Sequence, residues 1–182
     1  QSARTDTLMT REFTDKSHNE IAIITETFRD KENREDFIPI ENKILETTIA
    51  LAYYFSRNNI PASEYHYQQG IVKIPVTDSF HFEEFYENIS AVSFDKRNPH
   101  SLLCEEICNN ADIFRSPTAF FVLSLWNSDT EKLLEIFEEN KSGVVICFIT
   151  DDKEKLPDLS GHKGTRLIRI SPFAELKGGI GL

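Results

Sequence analysis

Thr118-Ala-Phe-Phe-Val-Leu-Ser-Leu125 is the stretch of sequence that decides the fold. This apolar run has the length of a strand and is shorter than a typical helix. The pattern predicts a strand that is buried on both faces of a sheet. Glu20-Ile-Ala-Ile-Ile-Thr25 and the run from Gly143 to Thr150 have the same pattern. Because strands buried on both faces are typical of parallel sheets, the three runs predict a mostly parallel sheet covered by helices.

The segments between these strands have helical character. Apolar residues recur near the helical period from Glu41 to Asn58, and the segment from Ser128 to Asn140 begins with a Ser-x-x-Glu capping box, which places the N-cap at Ser128. Two shorter helices are predicted over 80–89 and 100–109. We therefore expect an α/β fold with three α/β/α layers, similar to a Rossmann fold.

The remaining elements complete a single domain over residues 1–182. Residues 60–67 and 71–76 flank Gln68-Gln69-Gly70 and predict a β-hairpin, the one antiparallel pair of the sheet. An edge strand is predicted over 7–13, a charged loop over 28–39, and a last strand over 165–170.

Composition limits the function classes. The net charge of −10 over 182 residues disfavours binding to nucleic acid or to anionic lipid. The apolar runs are strand-sized and fall short of the roughly 20 residues of a membrane helix. Three cysteines, an odd number, do not make a disulfide framework, so we expect a reducing, cytoplasmic environment.

The sequence lacks the common signatures of an enzyme site. It has no Gly-x-Ser-x-Gly elbow, no phosphate-binding loop and no Gly-x-Gly-x-x-Gly after the first strand. In α/β folds, ligands bind at the carboxyl ends of the strands. The loops after Ile24, Leu125 and Ile149 are therefore the candidate site, and we expect neither an enzyme nor a bound cofactor.

Two segments resemble a known family. Ser2-Ala-Arg-Thr5, followed by Leu8-Met-Thr-Arg-Glu-Phe13, and the helix from Glu41 to Phe55 are similar to the bacterial "domain of unknown function 58" family. The resemblance implies a von Willebrand factor A-like domain, excised from a longer, membrane-anchored protein and lying in the cytoplasm. It also implies a protein partner, a MoxR-type AAA+ ATPase, with which the domain assists assembly or maturation.

The resemblance also implies where a metal-ion-dependent adhesion site would lie. In this chain Thr25 takes the place of the first Asp of the Asp-x-Ser-x-Ser motif, Thr27 and Arg29 take the two Ser positions, and Leu125 replaces a later Asp. Because Mg²⁺ needs carboxylate oxygens and Arg29 carries a positive charge, this pattern predicts a degenerate metal site.

Other residues at the carboxyl ends of the predicted strands leave alternatives open. Glu26 neighbours the motif but should face the opposite side of the strand. Asp151 and Asp152 favour a solvated loop or a helix cap, although they could contribute to a rearranged cation site. A further hypothesis is that Arg29 replaces the cation by pairing with Asp151 or another carboxylate. Trp126 fits either an interface hot spot or a residue packed under a loop.

One more cluster has metal-binding residue types. His100, Cys104 and Cys108 recur every four residues and would share one helix face. Structural zinc sites use four ligands, and a fourth is not evident, so docking of this helix on the sheet is the favoured interpretation.

Three functions follow from these observations. The favoured one is a protein-interaction module whose rim is formed by 25–29, 125–127 and 150–152. The second is a metal-dependent ligand-binding or adhesion domain with a rearranged cation site. The third is a hydrolase or transferase on a Rossmann-like sheet, which would need a deep pocket with strongly perturbed titratable groups.

Overall fold

The computed structural model describes residues 20–29, 37–76, 78–114 and 116–175. The strands in these ranges are β1 (Ile21–Thr25), β2 (Ala62–Tyr67), β3 (Ile71–Val76), β4 (Thr118–Leu123), β5 (Gly143–Ile149) and β6 (Thr165–Ile170). The helices are α1 (Ile38–Arg57), α2 (Phe82–Ser90), α3 (His100–Cys108), α4 (Ala111–Phe114) and α5 (Ser128–Glu139), with a 3₁₀ turn at Lys153–Lys155. The predicted strand over 7–13 and the Ser2–Arg4 motif lie outside the described residues.

The described strands form one sheet in the order β3-β2-β1-β4-β5-β6. All neighbouring pairs are parallel except β2 and β3, which form the predicted antiparallel hairpin. The prediction of a mostly parallel α/β sheet is confirmed. The chain winds outward from β1 in one direction and then from β4 in the other, so the switch point of the sheet lies between these two strands.

Helices cover both faces of the sheet. α1 and α2 pack on the face that carries Ile23, while α3, α4 and α5 pack on the face that carries Ile24. Each of these neighbouring isoleucines is 0% exposed, because successive strand residues point to opposite faces and both faces are covered. This three-layer arrangement confirms the expected architecture.

The predicted starts of α1 and α2 and the predicted cap of α5 are wrong, and α2 begins at Phe82 rather than at residue 80. α1 begins at Ile38 rather than Glu41, with Pro39 in its first turn, so it takes over the end of the predicted loop. Pro is favoured there because it has no N–H to leave unpaired. α5 is capped by Asn127 rather than Ser128, since the Asn127 side-chain oxygen accepts from the backbone N–H of Asp129 and Thr130 at 3.0 and 3.1 Å.

The hairpin turn depends on unusual backbone angles. Gln69 and Gly70 have φ angles of 60° and 143°, a region that glycine adopts more readily than other residues. The backbone N–H of Gln68 donates to the Gly70 carbonyl at 2.8 Å and closes the turn.

In the described part of the chain, every helix is too short or too polar to cross a bilayer.

Candidate functional site at the carboxyl ends of the strands

Glu26 lies at the switch point of the sheet, directly after β1. Its side chain is 1% exposed, and its carboxylate accepts hydrogen bonds from the backbone N–H of Ser124 at 2.7 Å and of Leu125 at 3.1 Å. The Ser124 hydroxyl donates a third bond, at 2.9 Å. Glu26 therefore spans the crevice between β1 and β4, where ligands bind in many folds of this class. The sequence placed Glu26 in the candidate rim but did not predict these partners, which are about 100 residues away along the chain.

His100 lies beside Glu26 below the rim. It is 4% exposed, its Nε2 lies 3.1 Å from the Thr130 hydroxyl, and its Nδ1 lies 3.9 Å from a Glu26 carboxylate oxygen. Nδ1 has no hydrogen-bond partner among the described atoms. The imidazole thus connects α3 with α5 and faces the buried carboxylate.

The two threonines of the degenerate motif use their hydroxyls inside the protein. The Thr25 hydroxyl lies 3.1 Å from that of Thr48 on α1, and both residues are fully buried. The Thr27 hydroxyl donates to the backbone carbonyl of Tyr67 at 2.7 Å, at the end of β2. Both hydroxyls therefore fasten the end of β1 to its neighbours.

Arg29 pairs with Glu41 in the first turn of α1. Its Nε and a terminal guanidinium nitrogen donate to the two Glu41 carboxylate oxygens at 2.5 and 2.7 Å. This bond raises the pKa of the guanidinium further above its usual value. The two side chains are 20% and 11% exposed. The carboxylate that Arg29 contacts is therefore Glu41, which is one of the other carboxylates that the hypothesis allowed, and not Asp151.

Leu125 and Trp126 differ in their surroundings although they follow the same strand. Leu125 is 37% exposed at the rim. Trp126 is half-buried against the core between the sheet and α5, and its indole nitrogen lies 3.5 Å from a Glu131 carboxylate oxygen. Trp126 is therefore packed largely against its own domain, and Leu125 is the more accessible of the two.

Asp151 and Asp152 follow β5 and are both exposed. The Asp152 carboxylate accepts from the backbone N–H of Glu154 at 2.9 Å and caps the 3₁₀ turn, and its own N–H donates to the Thr150 hydroxyl at 3.1 Å. These bonds agree with the predicted loop or cap.

An open cleft of about 510 Å³ lies on this rim, and we call it the rim cleft. Its apolar lining is formed by Phe37, Pro39, Ile40, Leu125, Ile149, Pro172 and Phe173. Its polar lining is formed by Ser124, Thr150, Asp151, Asp152 and Lys155. Four predicted rim positions, at 125, 150, 151 and 152, therefore come together at one cleft, while 25–27 and 29 are held by other contacts.

Phe173 is the rim residue that sequence reasoning missed. Its side chain is 75% exposed, yet the backbone next to it is fixed, because the ammonium group of Lys43 donates to the Ala174 carbonyl at 2.5 Å. Lys43 lies on α1, is only 5% exposed, and also pairs with Glu46. A buried lysine that meets a carbonyl 131 residues away has no sequence signal.

The described groups with the largest pKa shifts lie outside the cleft. Burial raises the pKa of the Cys104 and Cys147 thiols to about 12, and the guanidinium of Arg97 lowers that of Asp95 to about 2. Among the described residues, no three His, Cys, Asp or Glu side chains converge closely enough to hold a metal ion. His100 and Cys104 instead pack into the domain, as the docking interpretation of this helix expects.

No family model matches the sequence, and no curated protein matches it. The structure is similar to the von Willebrand factor A domain of SpRpn10, with a TM-score of 0.51 and 10% sequence identity over 87% of this chain and 90% of that one. It also matches proximal thread matrix protein 1 (PTMP1) from the mussel byssus, with a TM-score of 0.46 and 8% identity over 74% of this chain and 38% of that one. The likeness to the SpRpn10 domain shows that the fold of this chain is von Willebrand factor A-like.

Proposed function

We propose that this chain is a protein-interaction module that binds its partner at the rim cleft. The observation that carries the proposal is the exposure of Phe173 and Leu125, 75% and 37%, in the lining of an open, mainly apolar cleft. Exposed apolar side chains beside polar groups are typical of binding surfaces. Full burial by a partner would contribute about 2 kcal/mol for Phe173 and about 1 kcal/mol for Leu125, which has less surface left to bury.

The rim favours a partner that inserts an apolar side chain into the cleft. Ile40 and Ile149 line the cleft together with Leu125 and Phe173, and Asp151 and Asp152 add two acidic residues to its lining. Lys43 holds the segment that carries Phe173, so little ordering entropy would be lost on binding.

The contacts around the degenerate motif support a function without a metal ion. A Mg²⁺ site needs several oxygen ligands, including carboxylates, that are free to coordinate. The hydroxyls of Thr25 and Thr27 and the carboxylate of Glu26 are instead bonded to protein groups. The residues present therefore do not fit the cation of a metal-ion-dependent adhesion site.

We further propose that the module is not an enzyme. Catalytic groups commonly have pKa values shifted by burial or by a specific neighbour inside a cleft. In the described chain, the thiols of Cys104 and Cys147 are shifted by burial in the core, and Asp95 is shifted by an exposed arginine. None of these three groups lines the rim cleft.

The family resemblance extends the proposal to a partner and a location. The Ser2–Arg4 motif and the helix that contains Glu41 resemble the "domain of unknown function 58" family. On that basis we propose a MoxR-type AAA+ ATPase as partner, with the module on the cytoplasmic side of a membrane-anchored bacterial protein.

Co-purification with rim variants tests the proposal. The full-length protein would be isolated from its cell as wild type, as Leu125→Asp/Phe173→Asp, and as Ser101→Asp, which adds a charge on an exposed residue of α3. We expect an AAA+ ATPase to accompany the wild type and the α3 variant, and its recovery to fall at least tenfold with the rim variant. Equal recovery with all three proteins would contradict the rim as the binding surface.

A further inference from the structure

A second exposed surface lies where α1 meets α2, and we call it the aromatic face. It consists of Tyr53 on α1, Phe80 before α2, and Phe82 and Tyr86 on α2. Phe80 is 87% exposed, and Tyr53 and Tyr86 are 51% and 50% exposed. Ile40, which lies on the same helix, lines the rim cleft. Tyr53 follows it by 13 residues, which corresponds to about 20 Å along the helix axis. The aromatic face is therefore separate from the rim and independent of the function proposed there.

The aromatic face is fixed to the core of the domain. The Tyr53 and Phe82 rings meet edge to face with centroids 5.3 Å apart, and Phe82 stacks on Phe85 at 5.8 Å. Phe85 is 1% exposed. Phe82 and Tyr86 are one helical turn apart and therefore share one side of α2. A rigid aromatic surface of this kind can bind a partner at a low cost in side-chain entropy.

Negative charge surrounds these rings. α2 contains three exposed glutamates, Glu83, Glu84 and Glu87, and no lysine or arginine. All three line an open cleft of about 470 Å³ together with Phe80. Glu87 lies in the second half of the helix, where the helix dipole disfavours an acid. A cation bound to this surface would offset the unfavourable interaction of Glu87 with the helix dipole. It would also cover exposed ring surface.

We propose that the aromatic face binds an arginine-bearing segment of a partner protein. A guanidinium group can stack on a tyrosine ring and donate two parallel hydrogen bonds to a carboxylate, and Tyr86 lies one helical turn after Glu83 on the same side of α2. Lysine lacks the planar fork and stacks less well. The combination of open aromatic rings with glutamates that have no cationic partner among the described residues therefore selects arginine over lysine.

Binding of two fluorescein-labelled peptides to the full chain tests this proposal. One nonapeptide carries three arginines, and the other carries three lysines at the same positions. We expect the arginine peptide to bind at least tenfold more tightly at physiological salt. Tyr86→Ser should remove most of that preference, and Glu83→Gln/Glu87→Gln should weaken binding of both peptides at least tenfold.

A matched control distinguishes the aromatic face from general attraction to an acidic protein. Glu135→Gln/Glu139→Gln removes the same two charges, at the same spacing, from the exposed side of α5. It should leave both affinities within twofold of wild type. Equal weakening by the two double variants, or equal affinity for the two peptides, would overturn the proposal.

Evidence that the aromatic face binds one of two other ligands would also overturn the proposal. Self-association in sedimentation velocity that is lost in Tyr86→Ser would identify a second copy of the chain. Tighter peptide binding after Arg4→Ser/Arg11→Ser would identify the chain's own N-terminal segment.

Discussion

The carboxylate of Glu26 accepts a hydrogen bond from the backbone N–H of Ser124 at 2.7 Å, across the switch point of the sheet. A second N–H, that of Leu125, and the Ser124 hydroxyl donate to the same carboxylate. The negative charge is thus balanced by backbone dipoles, and the loop that carries Leu125 is held in place. Glu26 therefore links the end of β1 to the loop that follows β4.

Removal of the Glu26 carboxylate should destabilise the domain. Glu26→Ala leaves two buried N–H groups without an acceptor and should lower the free energy of unfolding by about 3 kcal/mol. Glu26→Gln keeps one acceptor oxygen and should cost about 1 kcal/mol. Urea denaturation measures both values. Glu135→Ala, at an exposed position, serves as the control, and an equal effect at 26 and 135 would show that the buried bonds contribute little.

The contact between Arg29 and Glu41 should appear as a coupling energy. In a double-mutant cycle with Arg29→Gln and Glu41→Gln, we expect about 1–2 kcal/mol, because the pair is largely buried and makes two parallel bonds. The same cycle with Asp151→Asn in place of Glu41→Gln should give less than about 0.3 kcal/mol. Coupling to Asp151 instead of Glu41 would contradict the assignment.

The pair formed by Asp95 and Arg97 predicts a pH dependence. The guanidinium lowers the pKa of Asp95 to about 2 in the folded chain, against about 3.9 in an unfolded one. Ionised Asp95 therefore stabilises the fold above pH of about 4, and this contribution is lost as the pH falls through about 2. Carboxyl-carbon NMR should give a pKa near 2 that rises in Arg97→Gln. A value near 3.9 in the wild type would show that the pair does not form in solution.

Divalent cations should leave the domain unchanged. Mg²⁺ or Mn²⁺ at about 5 mM would stabilise a site with a Kd of about 0.1 mM by about 2 kcal/mol. Because the ligand positions are occupied by protein contacts, we expect no shift in Tm and no saturable heat by calorimetry. Saturable binding that disappears in Glu26→Gln would instead support a rearranged cation site.

The strands of this fold could be predicted because burial on both faces leaves a direct trace in sequence. The runs that contain Phe120 and Ile146 are apolar and strand-sized, so they predicted buried strands, and β6 begins and ends at the predicted residues. Helix ends were harder to predict. Asn127 and Ser128 are both good N-caps, and only the geometry of the first turn selects Asn127.

The candidate site could be located from sequence but not described in detail. The switch point follows from topology, so the loops at 25–29, 125–127 and 150–152 could be named in advance. The partners of Glu26 are backbone N–H groups, which have no residue-specific signal. The sequence offers Arg29 more than one acidic partner near the rim, and the spacing of residues does not distinguish Glu41 from Asp151.

Photo-crosslinking at position 173 tests the central claim, that the rim cleft is a protein-binding surface, most directly. Benzoylphenylalanine would replace Phe173 in the full-length protein in its own cell, with the same replacement of Ser101 on α3 as the control. We predict a discrete adduct with one partner protein from position 173, which Leu125→Asp abolishes, and no such adduct from position 101. Position 173 yielding no adduct, or the same adducts as position 101, would contradict the account.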